Sequence, residues 1–248
     1  MKLYGELAWL WSEVTPVGTY IDEAQDLYDI VSEALGRRPK NILELGAGGG
    51  FLLHDMQTMC PAIDITLVDS SEDMLAEARR RNPRARTICA DMTTLDLQEQ
   101  FDVVLLHDAV MYLEDRAAVS KVLDTMRSNI STTGVALVVP DVCTETFEER
   151  ILTAESEGER ARIHFTEWHW VSNSQSDQVI VDFSVLIREH EQHGVSSHHE
   201  THRMLVLSLS DWMGLFVENR WMQDFSSTPW LHGGECFLLR PDHSKVSD

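Results

Sequence analysis

The chain has 248 residues, of which 43% are hydrophobic and 25% are charged, a composition typical of a globular protein with one large domain or two small ones. Its formal net charge of −21 repels polyanions, so we do not expect a nucleic acid partner. No apolar run approaches the roughly 18 residues of a membrane span. We therefore expect a cytoplasmic protein that has no membrane partner.

Two amphipathic helical segments are predicted before the first strand. Apolar residues recur at helical spacing on both sides of a break at Pro16 and Gly18. Tyr20 lies beside this break, where an aromatic side chain can pack in the core or cover a ligand. We predict an N-terminal helical cap over residues 1–36 and a second domain over residues 37–248.

A short apolar run at residues 41–45 is followed by a stretch, 46–50, in which four of five residues are glycine. This pattern predicts a buried strand and a tight turn, because glycine permits positive φ and lets a ligand lie against main-chain N–H groups. A dinucleotide-binding turn needs a small residue where this chain has Phe51. Glu44 instead places a carboxylate beside the turn, which suits a cationic ligand and opposes a pyrophosphate. A structural turn without a ligand is the alternative.

Strand-like and helical segments alternate from residue 41 to residue 139. Strands are predicted at 42–45, 65–68, 86–89, 103–106 and 135–139, with helices between them. Repeated β–α units predict a parallel sheet with helices on both faces. Ligands of such sheets bind at the carboxyl ends of the strands, which is where the polar residues considered below lie.

The pattern changes after Pro140. A helix is predicted at 144–157, and segments at 163–171, 179–188 and 195–207 alternate apolar and polar residues as half-exposed antiparallel strands do. We predict that residues 160–207 form an antiparallel insertion, or lid, over the strand ends. This insertion either lines a ligand pocket or forms the interface of a homodimer.

The C-terminal part is predicted to complete the sheet. A helix is expected at 210–219, with Ser210 as its N-terminal cap. A hairpin of residues 221–225 and 235–239 follows, and residues from Pro241 onward are predicted to form a frayed tail.

Four motifs, in this order, resemble those of the class I S-adenosylmethionine (SAM) methyltransferases. They are the glycine turn after Glu44, the acid Asp69 at the end of the second strand, the pair Asp91 and Met92 after the third strand, and residues 101–113 at the fourth. The resemblance implies a doubly wound, Rossmann-like α/β fold with a seven-stranded sheet and an antiparallel β insertion after the fifth strand. It also implies SAM as the cofactor. The residues that it places around SAM are Glu44, Gly46, Gly48, Asp69, Ser70, Met74, Asp91, Met92 and His107.

The resemblance assigns individual roles to several of these residues. Asp69 is expected to bind both ribose hydroxyls, for which a carboxylate has the necessary acceptor oxygens. Asp91 is expected to accept a hydrogen bond from the exocyclic amine of adenine, while the N–H of Met92 meets the ring. Met74 is expected to pack on the adenine.

The reaction implied is an in-line displacement at a sulfonium, for which the protein supplies alignment, desolvation and, for some acceptors, proton removal. A neutral imidazole with a pKa near 6.5 can remove a proton at neutral pH. His107 is therefore either a base or a residue whose main-chain carbonyl holds the amino group of the cofactor. The catalytic candidates are His107, Asp108 and Tyr20. The residues predicted to line the acceptor pocket are Tyr112, Trp168 and Trp170.

Three histidines, His198, His199 and His202, lie close together in the sequence. Neighbouring residues of a strand point to opposite faces, and no carboxylate spacing completes a metal site. We interpret these histidines as solvated strand residues and expect no metal.

The predicted function is SAM-dependent methyl transfer to an N or O atom of a small molecule. A non-catalytic SAM-binding or interaction protein is an alternative. A nicotinamide-dependent oxidoreductase is a second alternative, which Phe51 and Glu44 disfavour.

Overall fold

The computed structural model describes residues 1–171, 177–224, 232 and 235–242. Residue 225 of the predicted hairpin and the predicted tail from residue 243 lie outside the described residues, as do residues 172–176 of a predicted turn. Among the described helices, none combines the length and the apolar character needed to cross a membrane.

Helices and strands alternate through the first half of the chain. The helices are α1 (Trp9–Val14), α2 (Ile21–Leu35), α3 (Phe51–Met59), α4 (Glu72–Arg81), α5 (Arg116–Asn129) and α6 (Leu209–Glu218), with a short 3₁₀ helix at Ala109–Tyr112. The strands are β1 (Asn41–Leu45), β2 (Asp64–Asp69), β3 (Arg86–Cys89), β4 (Phe101–His107), β5 (Ile130–Val139), β6 (Arg150–Glu157), β7 (Ala161–Trp170), β8 (Gln178–Glu189), β9 (Ser196–Leu205), β10 (Trp221–Asp224) and β11 (Phe237–Pro241).

The main sheet has seven strands in the order β10-β11-β5-β4-β1-β2-β3. Strands β1 to β5 are parallel, whereas β11 runs antiparallel to β5 and to β10. Leu43 and Leu45 of β1 pack into one apolar cluster and Ile42 into another, so both faces of the sheet are buried. The predicted doubly wound α/β sheet with an antiparallel insertion after the fifth strand is confirmed. Because the order reverses between β1 and β4, the carboxyl ends of these strands border a crevice.

A second sheet, the insertion sheet, contains β6, β7, β8 and β9 in sequential antiparallel order. Its inward face carries Ile163, Phe165 and Phe183, which belong to the same apolar cluster as Leu43. The insertion sheet therefore packs on the main sheet at the side where the strands of the main sheet end.

The helix predicted at residues 144–157 is wrong, because β6 occupies Arg150–Glu157. Ile151 of β6 pairs with Trp168 of β7, and Thr153 pairs with Thr166. Every residue of β6 except Ser156 is exposed, so the strand lacks the one-sided burial that produces a readable alternation. Its ladder with β7 outweighs the helix propensity of its alanine and glutamates.

The predicted cap of α6 is also wrong by two residues. Oγ of Ser208 accepts the N–H of Asp211 at 3.1 Å, and a carboxylate oxygen of Asp211 accepts the N–H of Ser208 at 3.3 Å. This reciprocal capping box satisfies two N–H groups that a helix start leaves unpaired. Ser210 lies inside the first turn, and its hydroxyl is 2.9 Å from that of Ser208.

Candidate active site

A cavity of about 900 Å³ lies between the carboxyl ends of the main-sheet strands and the insertion sheet. One side is formed by the turns that follow β1, β2 and β4. The other side is formed by β7 and β8, and the N-terminal segment around Tyr4 closes a third side. A cavity of this size accommodates a cofactor and a small second ligand.

The glycine turn forms the part of the cavity next to β1. Gly46, Gly48 and Gly50 have φ values of +71°, +53° and +66°, which favour glycine. A β-carbon at Gly46 would lie 2.1 Å from Cβ of Ala109, at the start of the 3₁₀ helix that follows β4. The absence of a side chain at Gly46 therefore allows the turns after β1 and β4 to touch.

Asp69 at the end of β2 holds this turn in place. One carboxylate oxygen accepts the N–H of Gly48 at 2.8 Å, and the other accepts the N–H of Ser71 at 2.8 Å. Burial raises the pKa of Asp69, while these backbone N–H groups lower it. Each oxygen keeps a further lone pair that can accept from a ligand hydroxyl in the cavity.

Glu44 lies within β1, beneath the turn. It is 3% exposed, and its Oε2 atom has no hydrogen-bond partner among the described residues. Burial raises the pKa of Glu44 to about 7; the charge on His107 lowers it, and Asp69 raises it further. A buried acceptor without a partner is costly, so this oxygen fits a cationic group of a bound ligand.

Asp91, Met92 and Met74 form the end of the cavity near β3. Oδ1 of Asp91 accepts the N–H and the hydroxyl of Thr93, both at 2.7 Å, and these bonds hold its pKa low. A β-carbon at Gly48 would lie 3.3 Å from Cε of Met74, and one at Gly46 would lie 3.7 Å from Sδ of Met92. The two thioethers thus form an apolar slot beside the glycine turn, as a flat ring system requires.

His107, the last residue of β4, lies between two carboxylates. Its Nε2 atom is 2.9 Å from Oε1 of Glu23 on α2, and its Nδ1 atom is 3.4 Å from Oδ2 of Asp108. Burial lowers the pKa of His107, but the charges of Asp108, Glu23 and Glu44 outweigh burial and raise it to about 9. The ring of Tyr20 meets the imidazole edge-on at 85°, with 6.2 Å between centroids. These charges favour a proton on His107, whereas the role of base requires a neutral imidazole.

Asp108 has the unusual φ of +52° for a residue other than glycine. Burial raises its pKa well above the usual range, the charge on His107 lowers it, and the neighbouring Asp141 raises it. A carboxyl that faces a second carboxyl keeps its proton more readily. Asp108 lines the cavity beside His107 and Asp141.

The family model of a methyltransferase domain matches residues 42–134, from β1 into β5. The glycine turn, Asp69, Asp91 and His107 all lie in the matched segment.

Curated relatives include the malonyl-[acyl-carrier protein] O-methyltransferase of Bacillus anthracis, 30% identical over 44% of this chain and 39% of that protein. The dTDP-3-amino-3,6-dideoxy-alpha-D-glucopyranose N,N-dimethyltransferase of Streptomyces fradiae is 23% identical over 82% of this chain and 85% of that protein. The chain spans less than half the length of the malonyl relatives from Bacillus anthracis, Bacillus cereus and Halorhodospira halophila.

Solved structures with the same fold include DesVI of Streptomyces venezuelae, with a TM-score of 0.78 and 19% identity over 95% of this chain and 96% of that one. The sugar N-methyltransferase KedS8 from Streptoalloteichus sp ATCC 53650 has a TM-score of 0.79 and 18% identity over 96% of this chain and 92% of that one. At these identities the likeness is one of fold, and it extends through the insertion sheet.

Trp168 and Trp170, predicted to line the acceptor pocket of the methyltransferase domain, do not line the cavity. Their face of β7 is turned away from it: the Trp168 side of the sheet is solvent-exposed, and Nε1 of Trp170 donates to Asp182 at 2.8 Å. Glu167 and His169, on the opposite face, line the cavity. The alternation of β7 was correctly predicted, but the face chosen as the cavity wall was wrong. The cavity face is the one that Glu167 shares with the buried residues Ile163 and Phe165.

His202 is not a solvated strand residue, as had been predicted. It is 2% exposed, and its Nδ1 atom lies 3.2 Å from the hydroxyl of Tyr112 in the cavity wall. His199 is exposed, so the three histidines do not share an environment. Among the described residues, no group of three His, Cys, Asp or Glu side chains is placed to hold a metal ion.

Several residues of the cavity region were not selected from the sequence. They are Tyr4, Glu23, Asp141 and Glu200. Tyr4, Glu23 and Glu200 belong to elements that reach the site only through tertiary packing, so motif spacing could not identify them. Asp141 could have been identified, because it follows β5 at the same sheet edge as Asp69.

Proposed function

We propose that this protein is a SAM-dependent methyltransferase that acts on an N or O atom of a small molecule. The observation that carries the proposal is the placement of Glu44 and Asp69 on either side of the glycine turn, at one end of a cavity large enough for two ligands. The buried, unpartnered Oε2 of Glu44 suits the positive charge of SAM, and Asp69 suits its ribose hydroxyls. A pyrophosphate would be repelled by both carboxylates.

The remaining residues predicted around SAM fit the rest of the molecule. Met74 and Met92 offer an apolar slot for the adenine, and Asp91 lies beside Met92 as an acceptor for its amine. Ser70 follows Asp69 and lines the cavity. The sulfonium of bound SAM supplies an activated methyl group, so the chain needs no covalent nucleophile.

Asp108, Tyr20 and Tyr112 are assigned to alignment of the acceptor. An imidazolium does not accept a proton, so we assign His107 to the positioning of Glu23 and Asp108 and not to the role of base. Tyr20 covers one side of the imidazole, and Tyr112 faces the insertion sheet. Enclosure between the two sheets keeps water from the reacting atoms.

The charge of the cavity favours a basic acceptor. Six carboxyl side chains line it, and Arg150 and the protonated His107 oppose them. The six are Glu44, Asp69, Asp91, Asp108, Asp141 and Glu167. An ammonium group is attracted by this lining, whereas a polycarboxylate is repelled. Among N and O acceptors, we therefore favour an amine.

Cytoplasmic location and the absence of nucleic acid and membrane partners remain our proposal, supported by the net charge of −21. We consider a second copy of the chain, in a homodimer, as a candidate partner. The exposed face of the insertion sheet, with Trp168 55% exposed and Leu186 46% exposed, offers apolar area for a second copy. Light scattering over a range of protein concentrations decides between monomer and dimer.

Two measurements test the proposed function. Calorimetry should detect binding of SAM and S-adenosylhomocysteine (SAH) and none of NAD. Turnover of methyl-labelled SAM should then be measured with four probes: glucosamine, ethanolamine, glucose and citrate. We expect faster methyl transfer to the two amines than to glucose or citrate. Binding of NAD in place of SAM would indicate an oxidoreductase. Binding of SAM without transfer to these probes or to a cell extract would indicate a non-catalytic binding protein.

A further inference from the structure

A series of polar side chains leads from the cavity along the inward face of the insertion sheet to β9. The hydroxyls of Tyr4 and Tyr112 are 2.8 Å apart, and the hydroxyl of Tyr112 is 3.2 Å from Nδ1 of His202. Nε2 of His202 lies 3.2 Å from Oε1 of Glu200, at ion-pair distance but without hydrogen-bond alignment. Tyr4 and Tyr112 line the cavity, whereas the His202 side chain is 1% exposed. This series of side chains therefore begins at the acceptor side of the cavity and ends on β9.

Glu200 supplies a negative charge at the β9 end of this series of side chains. Its carboxylate accepts the N–H of Leu3 at 3.0 Å and the N–H of Lys2 at 2.9 Å. Burial raises the pKa of Glu200, but the Leu3 N–H and His202 outweigh it, so the pKa is lowered and the group stays ionised. A carboxylate at this distance favours a proton on Nε2 of His202 and leaves a lone pair on Nδ1.

The direction of the remaining hydrogen bonds follows from this tautomer. Tyr112 must donate its single hydroxyl hydrogen to Nδ1 of His202, so its oxygen can only accept from Tyr4. Tyr4 then donates its own hydroxyl hydrogen to the Tyr112 oxygen. The Tyr4 oxygen is left as an acceptor for a donor in the cavity.

We propose that Tyr4, Tyr112 and His202 form a proton relay that receives the proton of an amine acceptor. This rests on the proposed function, and it adds the path by which the proton leaves. The N–H bond of the bound ammonium breaks with its electron pair retained on nitrogen, and the proton passes to the Tyr4 oxygen. The Tyr4 hydrogen moves to Tyr112, and the Tyr112 hydrogen moves to Nδ1. The amine is then a neutral nucleophile, and His202 is an imidazolium beside Glu200.

The charges around the relay fit this direction of transfer. Burial lowers the pKa of His202, so the ring is neutral at rest, and the opposing charge of Glu200 is what favours the proton once it arrives. Glu200 and Glu167 face His202 with negative charge, and the amino group of Met1 faces it with positive charge. Burial raises the pKa of Tyr4, the hydrogen bond between Tyr4 and Tyr112 lowers it, and Glu167, Asp141 and Asp108 raise it further. Both phenols therefore pass a proton on without persisting as phenolates.

The hydrogen-bond direction can be tested without any acceptor. Nitrogen-15 NMR of histidine-labelled protein saturated with SAH reports which ring nitrogen of His202 carries the proton, with His202→Gln used for assignment. We expect the proton on Nε2 at pH 7, and a shift of the Nδ1 resonance in Tyr112→Phe, which retains the ring but not the hydroxyl. A proton on Nδ1, or an Nδ1 resonance that Tyr112→Phe leaves unchanged, would overturn the relay.

The kinetic test uses glucosamine and labelled SAM. We expect Tyr112→Phe and His202→Gln to lower kcat at pH 7 by about tenfold or more, with a smaller loss at high pH, where the free amine is already neutral. His198→Gln serves as the matched control and should retain kcat, because His198 lies four residues before His202 on β9 and outside the relay. The dissociation constant for SAH should stay within about threefold in all variants.

The two tests separate failure of the relay from failure of the proposed function. Absence of SAM and SAH binding in the wild type would overturn the proposed function. Normal SAH binding with an unchanged kcat and pH profile in Tyr112→Phe would overturn the relay alone. The NMR result decides the relay even when glucosamine is not methylated.

Discussion

Nε2 of His107, at the end of β4, lies 2.9 Å from Oε1 of Glu23 on α2. This contact joins the N-terminal helices to the centre of the candidate active site. Together with Asp108 and Glu44, it raises the pKa of His107 to about 9 against the effect of burial. The contact therefore favours the protonated form of His107.

The first prediction concerns the stability that this pair supplies. An unfolded histidine has a pKa near 6.5, so the folded protein binds the extra proton between about pH 6.5 and pH 9. The stabilisation is fully present below pH 6.5 and is lost as the pH rises through 9. Glu23→Gln should lower Tm at pH 7 by ~2–4 °C and flatten this decline. Asp22→Asn, exposed on the same helix, is the control. Equal Tm profiles in wild type and Glu23→Gln would contradict the assignment.

Glu44 leads to a prediction about the pH dependence of cofactor affinity. With a pKa of about 7, its carboxyl is charged only above that pH, so the affinity for cationic SAM should rise as the pH increases from 6 to 8, by up to about tenfold. Calorimetry in buffers of different ionisation enthalpy should also detect a proton released on binding. Glu44→Gln should remove both effects. Glu77→Gln, another buried glutamate, lies outside the cavity and should retain them.

Asp69 is expected to contribute more to SAM binding than any other strand-end acid. Asp69→Ala removes the acceptor for the ribose and for the N–H groups of Gly48 and Ser71, and should weaken binding by about 1–3 kcal/mol. Asp64→Ala, at the exposed start of the same strand, should not change the dissociation constant. An unchanged affinity in a folded Asp69→Ala protein would refute the assignment of this strand end.

Neighbouring residues of β7 provide a test of which face lines the acceptor side. Glu167→Gln should lower kcat/KM for glucosamine by about tenfold, because it removes a negative charge from the cavity wall. Trp168→Ala, one residue away on the outward face, should leave kinetics unchanged. If Trp168→Ala alone impaired turnover, the register of β7 would be wrong. A shift from dimer to monomer in Trp168→Ala would assign the outward face to assembly.

The cap of α6 gives a prediction about stability alone. Ser208→Ala loses the Oγ atom that accepts the N–H of Asp211 and should cost about 1 kcal/mol, or ~2–4 °C in Tm. Ser210→Ala should change Tm by much less, although the two serines are neighbours in the first turn. Thermal unfolding followed by circular dichroism at constant pH compares them.

The main sheet could be predicted because its strands are short, continuously apolar runs that end in glycine or acid. Leu43 and Ile42 are buried on opposite faces, which is the signature of a parallel sheet covered on both sides. The same runs place Asp69, Asp91 and His107 at strand ends, so the cofactor side of the site could be inferred from position.

The acceptor side could not be predicted to the same depth. An exposed edge strand such as β6 has no one-sided apolar pattern, and its existence depends on pairing with β7. The choice between the faces of Glu167 and Trp168 requires knowledge of where the insertion sheet packs. Tyr4 and His202 are about 200 residues apart in the sequence and meet through Tyr112 only after folding.

Gly46 and Ala109 together leave space for a single methyl group between the turns after β1 and β4. A side chain at position 46 would displace the 3₁₀ helix that begins at Ala109 and carries Tyr112, and with it the relay. The two positions must therefore be varied together in any library intended to change the acceptor. Substitutions at one position alone would mostly select variants that relieve a steric overlap, and not variants with a new acceptor specificity.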